Sequence, residues 1–347
     1  VLKVASWPEA VDAAVAGLQA AGNAVGVLTG GRLTSENAYG YAKFARTVLG
    51  SNHIDFRSRP LSAEEPGFRT SQIAGRTLGE GVTYGDLETA GKVVLVCFEP
   101  EEETGAIFLR LRKAVRKKGL QVTTIAPYAS NGSVKLNATL VATAPGDEAA
   151  ALAGVELDGD TIVLVGERAA TVPGVLTAVV EATTKAGARF AWVPRRAGDR
   201  GAIEAGCLPT LLPGGRPVAD SAARVDVAAT WGVDSLPAEP GLDATGILAA
   251  AAAGDLQALV IAGLEAKDFA DAAATRAAVE AAGFVVSLEN RLSEITERAD
   301  VVFPVALIEE HAGTFLNWEH RPGAVNTVIK QPNTPMTDLR VLAALAD

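Results

Sequence analysis

Continuous aliphatic runs, each followed by a helix-period segment and a closing glycine, constrain this chain more than any other feature. Lys92-Val93-Val94-Leu95-Val96-Cys97 is one such run. Glu101 to Lys118 then has a helical pattern ended by Gly119, and Gln121 to Ala126 is the next run. A strand, a crossover helix and a second strand in about 35 residues make a βαβ unit. Parallel strands of that kind are buried on both faces, which is why these runs lack polar alternation.

The pattern recurs along the chain. Ser6-Trp7-Pro8-Glu9 reads as a capping box and predicts a helix from Pro8 to Ala21, closed by Gly22. Ala24 to Thr29 reads as a strand and Gly30-Gly31 as a tight turn. Thr34 should cap a helix running to about Leu49, with Gly50 in the left-handed position. Strands are predicted at Thr161–Val165, Arg189–Val193, Ala258–Ile261, Phe284–Leu288 and Asp300–Pro304. Helices are predicted at Val172–Ala186, Ala244–Ala253 and Ala270–Ala282, and Gly198 to Pro217 reads as irregular. The fold class is therefore α/β, with parallel sheets covered by helices, and 347 residues fit two sheets better than one.

Composition excludes several functions. The net charge is −10, from 31 basic and 41 acidic residues, and no basic stripe suited to nucleic acid is evident. The densest basic cluster, Arg110 to Lys118, reads as the solvated face and cationic last turn of one helix. Apolar residues make up 48%, enough to bury a core. No apolar run is long enough for a membrane span, and no signal peptide opens the chain. Two distant cysteines, Cys97 and Cys207, and three histidines cannot supply a cluster or a structural zinc, so no metal is expected. The lack of a disulfide framework fits a reducing compartment. The start Val1-Leu2-Lys3, without Met, reads as a piece of something longer.

Candidate chemistry is sparse. There is no GxGxxG after a strand and no Walker motif. Glu99-Pro100-Glu101-Glu102-Glu103 follows the strand at 92–97, at the end of an open α/β sheet where ligands bind. A helix start there normally attracts phosphate, but these carboxylates would repel it. The next strand ends at Ala126-Pro127-Tyr128, without the acidic residue that holds ribose hydroxyls. His311 and His320 have acidic neighbours but no serine in a nucleophile elbow, so no catalytic residue is assigned.

Three stretches carry a family resemblance. The first runs from Ser35-Glu36-Asn37 through Phe44-Ala45-Arg46 to Ser51-Asn52-His53-Ile54-Asp55. The second is Gly201 to Pro209 with Leu212-Pro213-Gly214-Gly215. The third is Glu294 to Pro304 followed by Gly313-Thr314-Phe315-Leu316-Asn317-Trp318-Glu319. Together they resemble the molybdopterin oxidoreductase family, which includes formate dehydrogenases and nitrate reductases. Asn317-Trp318-Glu319 with Arg321-Pro322 is similar to the branch that forms the large iron–sulfur subunit of respiratory NADH:quinone oxidoreductase, complex I.

The resemblance implies two doubly wound parallel-sheet domains, of the formate dehydrogenase domain II and III type. Residues 1–75 with 205–330 would form a discontinuous first domain, 76–204 an inserted Rossmann-like domain, and 331–347 a truncated C-terminal linker. Strands 24–29 and 258–261 would share one sheet, and 92–97 and 121–126 another. It also implies where a molybdopterin pocket would lie: Leu61, Glu99, Pro100, Ala126 and Leu264. Active members carry a metal ligand near Leu61, a Gly-x-Asn-Pro turn near Phe98-Glu99-Pro100, Asp-Pro-Arg near Ala126-Pro127-Tyr128, and an acidic turn near Leu264. Each has changed here. The expectation is a cofactor-free scaffold in the peripheral arm of an electron-transfer complex. Its iron–sulfur clusters would lie in an N-terminal part of the parent subunit, and other peripheral-arm subunits would be its partners. The location would be cytoplasmic, at the inner face of the cell membrane. The alternative is a catalytic subunit, formate dehydrogenase-like, that binds a molybdopterin guanine dinucleotide.

Overall fold

The computed structural model describes residues 2–59, 62–330 and 335–347. The chain divides into two compact units, the first of residues 1–60, 197–315 and 322–347, the second of 61–196 and 316–321.

The first unit is built on a five-stranded parallel sheet. Its strands are β1 (Val25–Leu28), β2 (Ile54–Asp55), β10 (Ala258–Ala262), β11 (Phe284–Glu289) and β12 (Val301–Pro304), in the order β12-β11-β10-β1-β2. Register is set by Val27 opposite both Val260 and Ile54. Its helices are α1 (Trp7–Ala21), α2 (Ser35–Thr47), α10 (Asp199–Ala205), α11 (Ser221–Trp231), α12 (Ala244–Ala253), α13 (Ala272–Ala281), α14 (Glu294–Arg298) and α15 (Asp338–Ala346). The Ser6–Glu9 capping box forms as the sequence predicts. Side chains alternate across β10, so Leu259 and Ile261 pack with Ile247 of α12 and Val279 of α13 in one apolar cluster. Two short strands, β8 (Leu211–Leu212) and β9 (Arg216–Pro217), form an antiparallel pair in this unit.

The second unit is also built on a five-stranded parallel sheet but winds it differently: numbered within each unit, the strand order is 3-2-1-4-5 here and 2-1-3-4-5 in the first. Its sheet joins β3 (Lys92–Val96), β4 (Gln121–Ala126), β5 (Thr139–Ala142), β6 (Thr161–Gly166) and β7 (Arg189–Val193) in the order β5-β4-β3-β6-β7, all parallel. Its helices are α3 (Glu65–Phe68), α4 (Tyr84–Thr89), α5 (Pro100–Glu103), α6 (Gly105–Lys118), α7 (Asn131–Lys135), α8 (Glu148–Ala153) and α9 (Val175–Ala186). A hairpin, β13 (Gly313–Leu316) and β14 (Pro322–Val325), carries at its tip the residues 316–321 that group with this unit.

Several expectations need correction. The helix expected over 101–118 is two helices, because Thr104 leaves helical geometry at φ −154° and ψ 81°. Residues 199–205, inside the stretch read as irregular, form α10, which ends at Gly206 in the left-handed region. The first crossing between units falls at 60/61 rather than 75/76. Glu64 binds the start of α9, and the Arg69 guanidinium lies 4.4 Å over the Trp192 ring, so this segment belongs with the second sheet. The return falls at 196/197 rather than 204/205, because the Gly198 N–H donates to the Gly31 carbonyl at 3.0 Å. Residues 338–346 are not a linker. They form α15, anchored to α2 by Asp338, which accepts from Tyr41 Oη at 2.7 Å and Asn37 Nδ2 at 3.2 Å.

Candidate functional site: the two switch-point crevices

In an open parallel sheet, ligands bind outside the carboxyl ends of the strands, where the winding reverses direction. That point lies between β1 and β10 in the first unit and between β3 and β6 in the second. A diphosphate there needs close backbone approach and free N–H groups at the following helix.

In the second unit the crevice is closed by main chain. Cys97, just after β3, has φ +50°, a left-handed conformation unusual for a side-chain-bearing residue. It turns its carbonyl oxygen toward Gly166 at the end of β6, so that a Cβ on Gly166 would lie 2.2 Å from that oxygen. The sheet edge above carries Glu99, Pro100 and the rest of α5. Glu99 Oε2 accepts from Ser130 Oγ at 2.7 Å, and the Glu99 N–H donates to Glu103 Oε1 at 3.0 Å. Glu103 pairs with Arg168 at 2.8 Å and Glu101 with Lys135. The sequence reads these four carboxylates as an acidic helix start that would repel an anion. Two of them are paired with cations, Glu101 with Lys135 of α7 and Glu103 with Arg168 of the turn after β6, and α7 packs its start against α5. Glu99 Oε1, Glu101 Oε2, Glu103 Oε2 and Glu167 Oε2 are still buried without a hydrogen-bond donor among the described residues. The surplus is of acceptors, the wrong sign for a diphosphate.

The N-terminus of α9, which follows β6, is also taken. Glu64 accepts from the N–H groups of Gly174 at 2.8 Å, Leu176 at 3.2 Å and Thr177 at 2.9 Å. Burial raises the Glu64 pKa, but these bonds and that of the Thr177 hydroxyl outweigh it and hold it below the usual carboxylate range. Ala126, at the end of β4, offers no side-chain group, and its carbonyl accepts from Thr143 at 3.1 Å.

The first unit closes its crevice with a side chain. Gly30 turns the chain after β1 at φ +62°. Leu264, buried on the loop after β10, fills the space beside it, and a Cβ on Gly30 would lie 3.0 Å from Leu264 Cδ2. Thr34 caps α2 through the Asn37 N–H at 3.3 Å, and Asp271 caps α13 through the N–H groups of Ala273 and Ala274, both at 2.9 Å. Of the five pocket positions the sequence suggested, Leu61 lies outside the described residues. Glu99 and Pro100 sit at the second crevice with Ala126 on the neighbouring strand, and Leu264 sits at the first. In each crevice the space and the donors described above are used by the chain itself.

The stretches that carry the family resemblance serve packing. Buried Arg46 donates five hydrogen bonds, to Asn52 Oδ1 and to the carbonyls of Ala42, Gly206, Leu208 and Leu211, and burial lowers its pKa to about 10. Asn52 Nδ2 donates to the Pro237 and Glu239 carbonyls. Asp55 pairs with Arg57 at 2.7 Å and accepts from the Ala244 N–H at 3.1 Å, at the start of α12. Glu319, buried, accepts from the Tyr84 N–H at 2.9 Å at the start of α4 and from Arg321 Nε at 2.6 Å. Sequence reasoning missed Glu64 entirely; one acidic residue in a loop gives no local signal of the helix it will cap.

His53 Nδ1 accepts from the Leu242 N–H at 2.9 Å, and burial lowers its pKa, which keeps the ring neutral. His311 Nδ1 lies 2.9 Å from the Ala312 carbonyl. Burial pushes the Cys97 and Cys207 thiols up to about 12. Among the described residues no group of three or more His, Cys, Asp or Glu is placed to hold a metal ion. No helix among them is long and apolar enough to cross a membrane.

Two parallel sheets of this order, with signature residues spread over both, define a class. The sequence profile of the molybdopterin oxidoreductase family matches residues 1–347, and the chain belongs to that family. Within it, the chain is 53% identical over 99% of its length to a subunit of the NADH-quinone oxidoreductase of Mycobacterium bovis, and 50% identical over all of it to the subunit of the same name from Streptomyces coelicolor. It spans 43% and 45% of those relatives, less than half of each. Formate dehydrogenase H of Escherichia coli is 34% identical over only 33% of this chain. The solved structure of acetylene hydratase from Pelobacter acetylenicus superposes with a TM-score of 0.62 at 16% identity, covering 99% of this chain and 58% of that one, which shows the shared fold.

Proposed function

We propose that this chain is the cofactor-free scaffold region of the large iron–sulfur subunit of an NADH-quinone oxidoreductase. The parent complex is an oxidoreductase passing electrons from NADH through iron–sulfur clusters to quinone; this region carries none of them. Its clusters are held elsewhere in the same subunit. Its work is to brace that part and to dock other peripheral-arm subunits, at the cytoplasmic, inner face of the cell membrane. The observation that carries the reading is the closure of both switch-point crevices by the chain's own atoms, Leu264 against Gly30 and the Cys97 carbonyl against Gly166. The relatives' names supply the complex.

The test is elemental analysis of the purified full-length protein, with calorimetric titration of guanine and nicotinamide dinucleotides at low salt, where electrostatic effects are least screened. Iron without molybdenum or tungsten, and no nucleotide heat, is the expected outcome. Stoichiometric molybdenum, or micromolar binding at one to one, overturns it in favour of a formate dehydrogenase-like catalytic subunit.

A further inference from the structure

Helix α6 has two faces. Ile107, Phe108, Leu111 and Ala114 are buried in the core of the second unit. Leu109, Arg112, Lys113, Arg116 and Lys117 line a shallow groove on the opposite, solvent side. Their spacing of three, four, seven and eight residues from Leu109 is that of one continuous helix face. Leu109 is 63% exposed. Arg110 and Lys113 both pair with Glu88. Arg112, Arg116, Lys117 and Lys118 are exposed and have no carboxylate partner among the described residues.

The helix dipole accounts for part of this. Cations in a last turn are favourable, which covers Arg116, Lys117 and Lys118. The effect fades within that turn, so it leaves Arg112 and Leu109 unexplained. Arg112 with Arg116, and Lys113 with Lys117, are like charges four apart, an unfavourable arrangement on an isolated helix. A chain of net charge −10 concentrates six cations and no acid in this one helix.

We propose that this face docks an acidic polypeptide segment of a neighbouring subunit, with carboxylates against Arg112, Arg116 and Lys117 and an apolar side chain over Leu109. The proposal rests on the placement in a multi-subunit complex made above. A polypeptide suits the face better than other polyanions. The stripe is about 12 Å long, which spans few phosphates. The net negative chain around it opposes an extended anionic lipid or nucleic-acid surface. Leu109 at its edge asks for an apolar contact that a phosphate backbone does not provide.

The experiment compares the full-length protein free and within the purified complex. Lys117 is acylated with a water-soluble succinimidyl ester, and a carbodiimide forms zero-length amide links, both read by mass spectrometry. Acylation at least fivefold slower in the complex is expected, with Lys113 or Lys117 linked to an Asp or Glu of another polypeptide. An Arg112→Glu/Arg116→Glu variant should lose that link and leave the complex at lower salt. Equal acylation in the two states, or an unchanged link in the variant, overturns the docking surface. Sedimentation with phosphatidylglycerol vesicles that the variant abolishes makes lipid the occupant and overturns it too. Absence of the protein from any NADH-oxidising complex overturns the placement itself, which separates that failure from the others.

Discussion

The two units share an open parallel sheet, order its strands differently and fill their switch-point crevices differently. In the first, one leucine occupies the space between the loops after β1 and β10. In the second, the backbone of Cys97 and Gly166 meets directly, and carboxylates sit above the contact. A side-chain plug can move or be trimmed, whereas a main-chain contact cannot yield without shifting a strand. A shared parallel-sheet architecture therefore does not fix what occupies its switch-point crevice: an apolar side chain in one unit, approaching backbone in the other.

The largest expected effect tests the rigid closure. Gly166→Ala places a Cβ 2.2 Å from the Cys97 carbonyl oxygen and 3.1 Å from the Phe98 Cα. Neither neighbour is the end of a flexible side chain. The expected cost is about 3 kcal/mol, read as a lowered denaturant midpoint at unchanged slope. A loss under about 0.5 kcal/mol would show that the backbone here can give, and the contrast with the first unit would fail.

The flexible closure is tested by Leu264→Ala, expected to cost about 2 kcal/mol, toward the low end of core truncations because a loop can settle into the space. Gly30→Ala alone should cost about 1–2 kcal/mol, partly from its left-handed backbone and partly from the contact with Leu264. The double variant should cost less than the sum, since removing Leu264 relieves that contact. Strict additivity would mean Leu264 does not fill the space beside Gly30.

Much of this was legible in the sequence. The strands near 24–29, 258–261, 92–97 and 121–126 followed from aliphatic runs and helix caps, which are local signals, while their division between two sheets came with the family resemblance. β2 and β5 were not foreseen: β2 is two residues long, and Thr139–Ala142 lies at the edge of its sheet, half exposed, with no buried run to announce it. The break at Thr104 was masked by the helix-forming residues on both sides. At the candidate site, Glu99, Pro100, Ala126 and Leu264 were identifiable as departures from the family pattern, but what fills the crevices was not. The contacts of Gly166 with Cys97, and of Glu64 with Thr177, join residues 69 and 113 positions apart, and nothing nearby in sequence encodes them.

Titration sharpens the contrast further. In the first unit, burial raises the pKa of Asp55, Glu289 and Asp338. An acid whose pKa is raised by folding contributes stability that is full below its unfolded value, near 3.8 for Asp338, and is lost as pH rises through the folded value. In the second unit, burial also opposes ionisation of Glu64, Asp86 and Glu319, but hydrogen bonds outweigh it and lower their pKa. Their contribution is full above the unfolded values and is lost as pH falls through the folded ones. Hydrogen exchange between pH 7 and 4 should therefore show protection of α15 rising relative to that of α4 and α9. Asp338→Asn should flatten the first trend and cost under about 1 kcal/mol at neutral pH, because the amide oxygen can still accept from Tyr41. A wild-type profile in which α15 loses protection on acidification contradicts the sign argued here.

The smallest effect concerns the charged roof of the second crevice. Lys135 and Arg168 are about half exposed, while the carboxylates they pair with, on Glu101 and Glu103, are more buried. An exposed cation on such a pair contributes little, since it gives up side-chain freedom and is screened by salt. Lys135→Ala should therefore cost under about 1 kcal/mol, and less at high salt. Its loss would leave Glu101 with two oxygens lacking a cation, next to the unpartnered oxygens of Glu99 and Glu103. If the backbone contact beneath is what closes the crevice, α5 should stay in place and exchange at Gly166 should not change. If instead Lys135→Ala loosens both α5 and Gly166, the roof and not the main chain holds the crevice shut, and the second unit would depend on a movable plug as the first does.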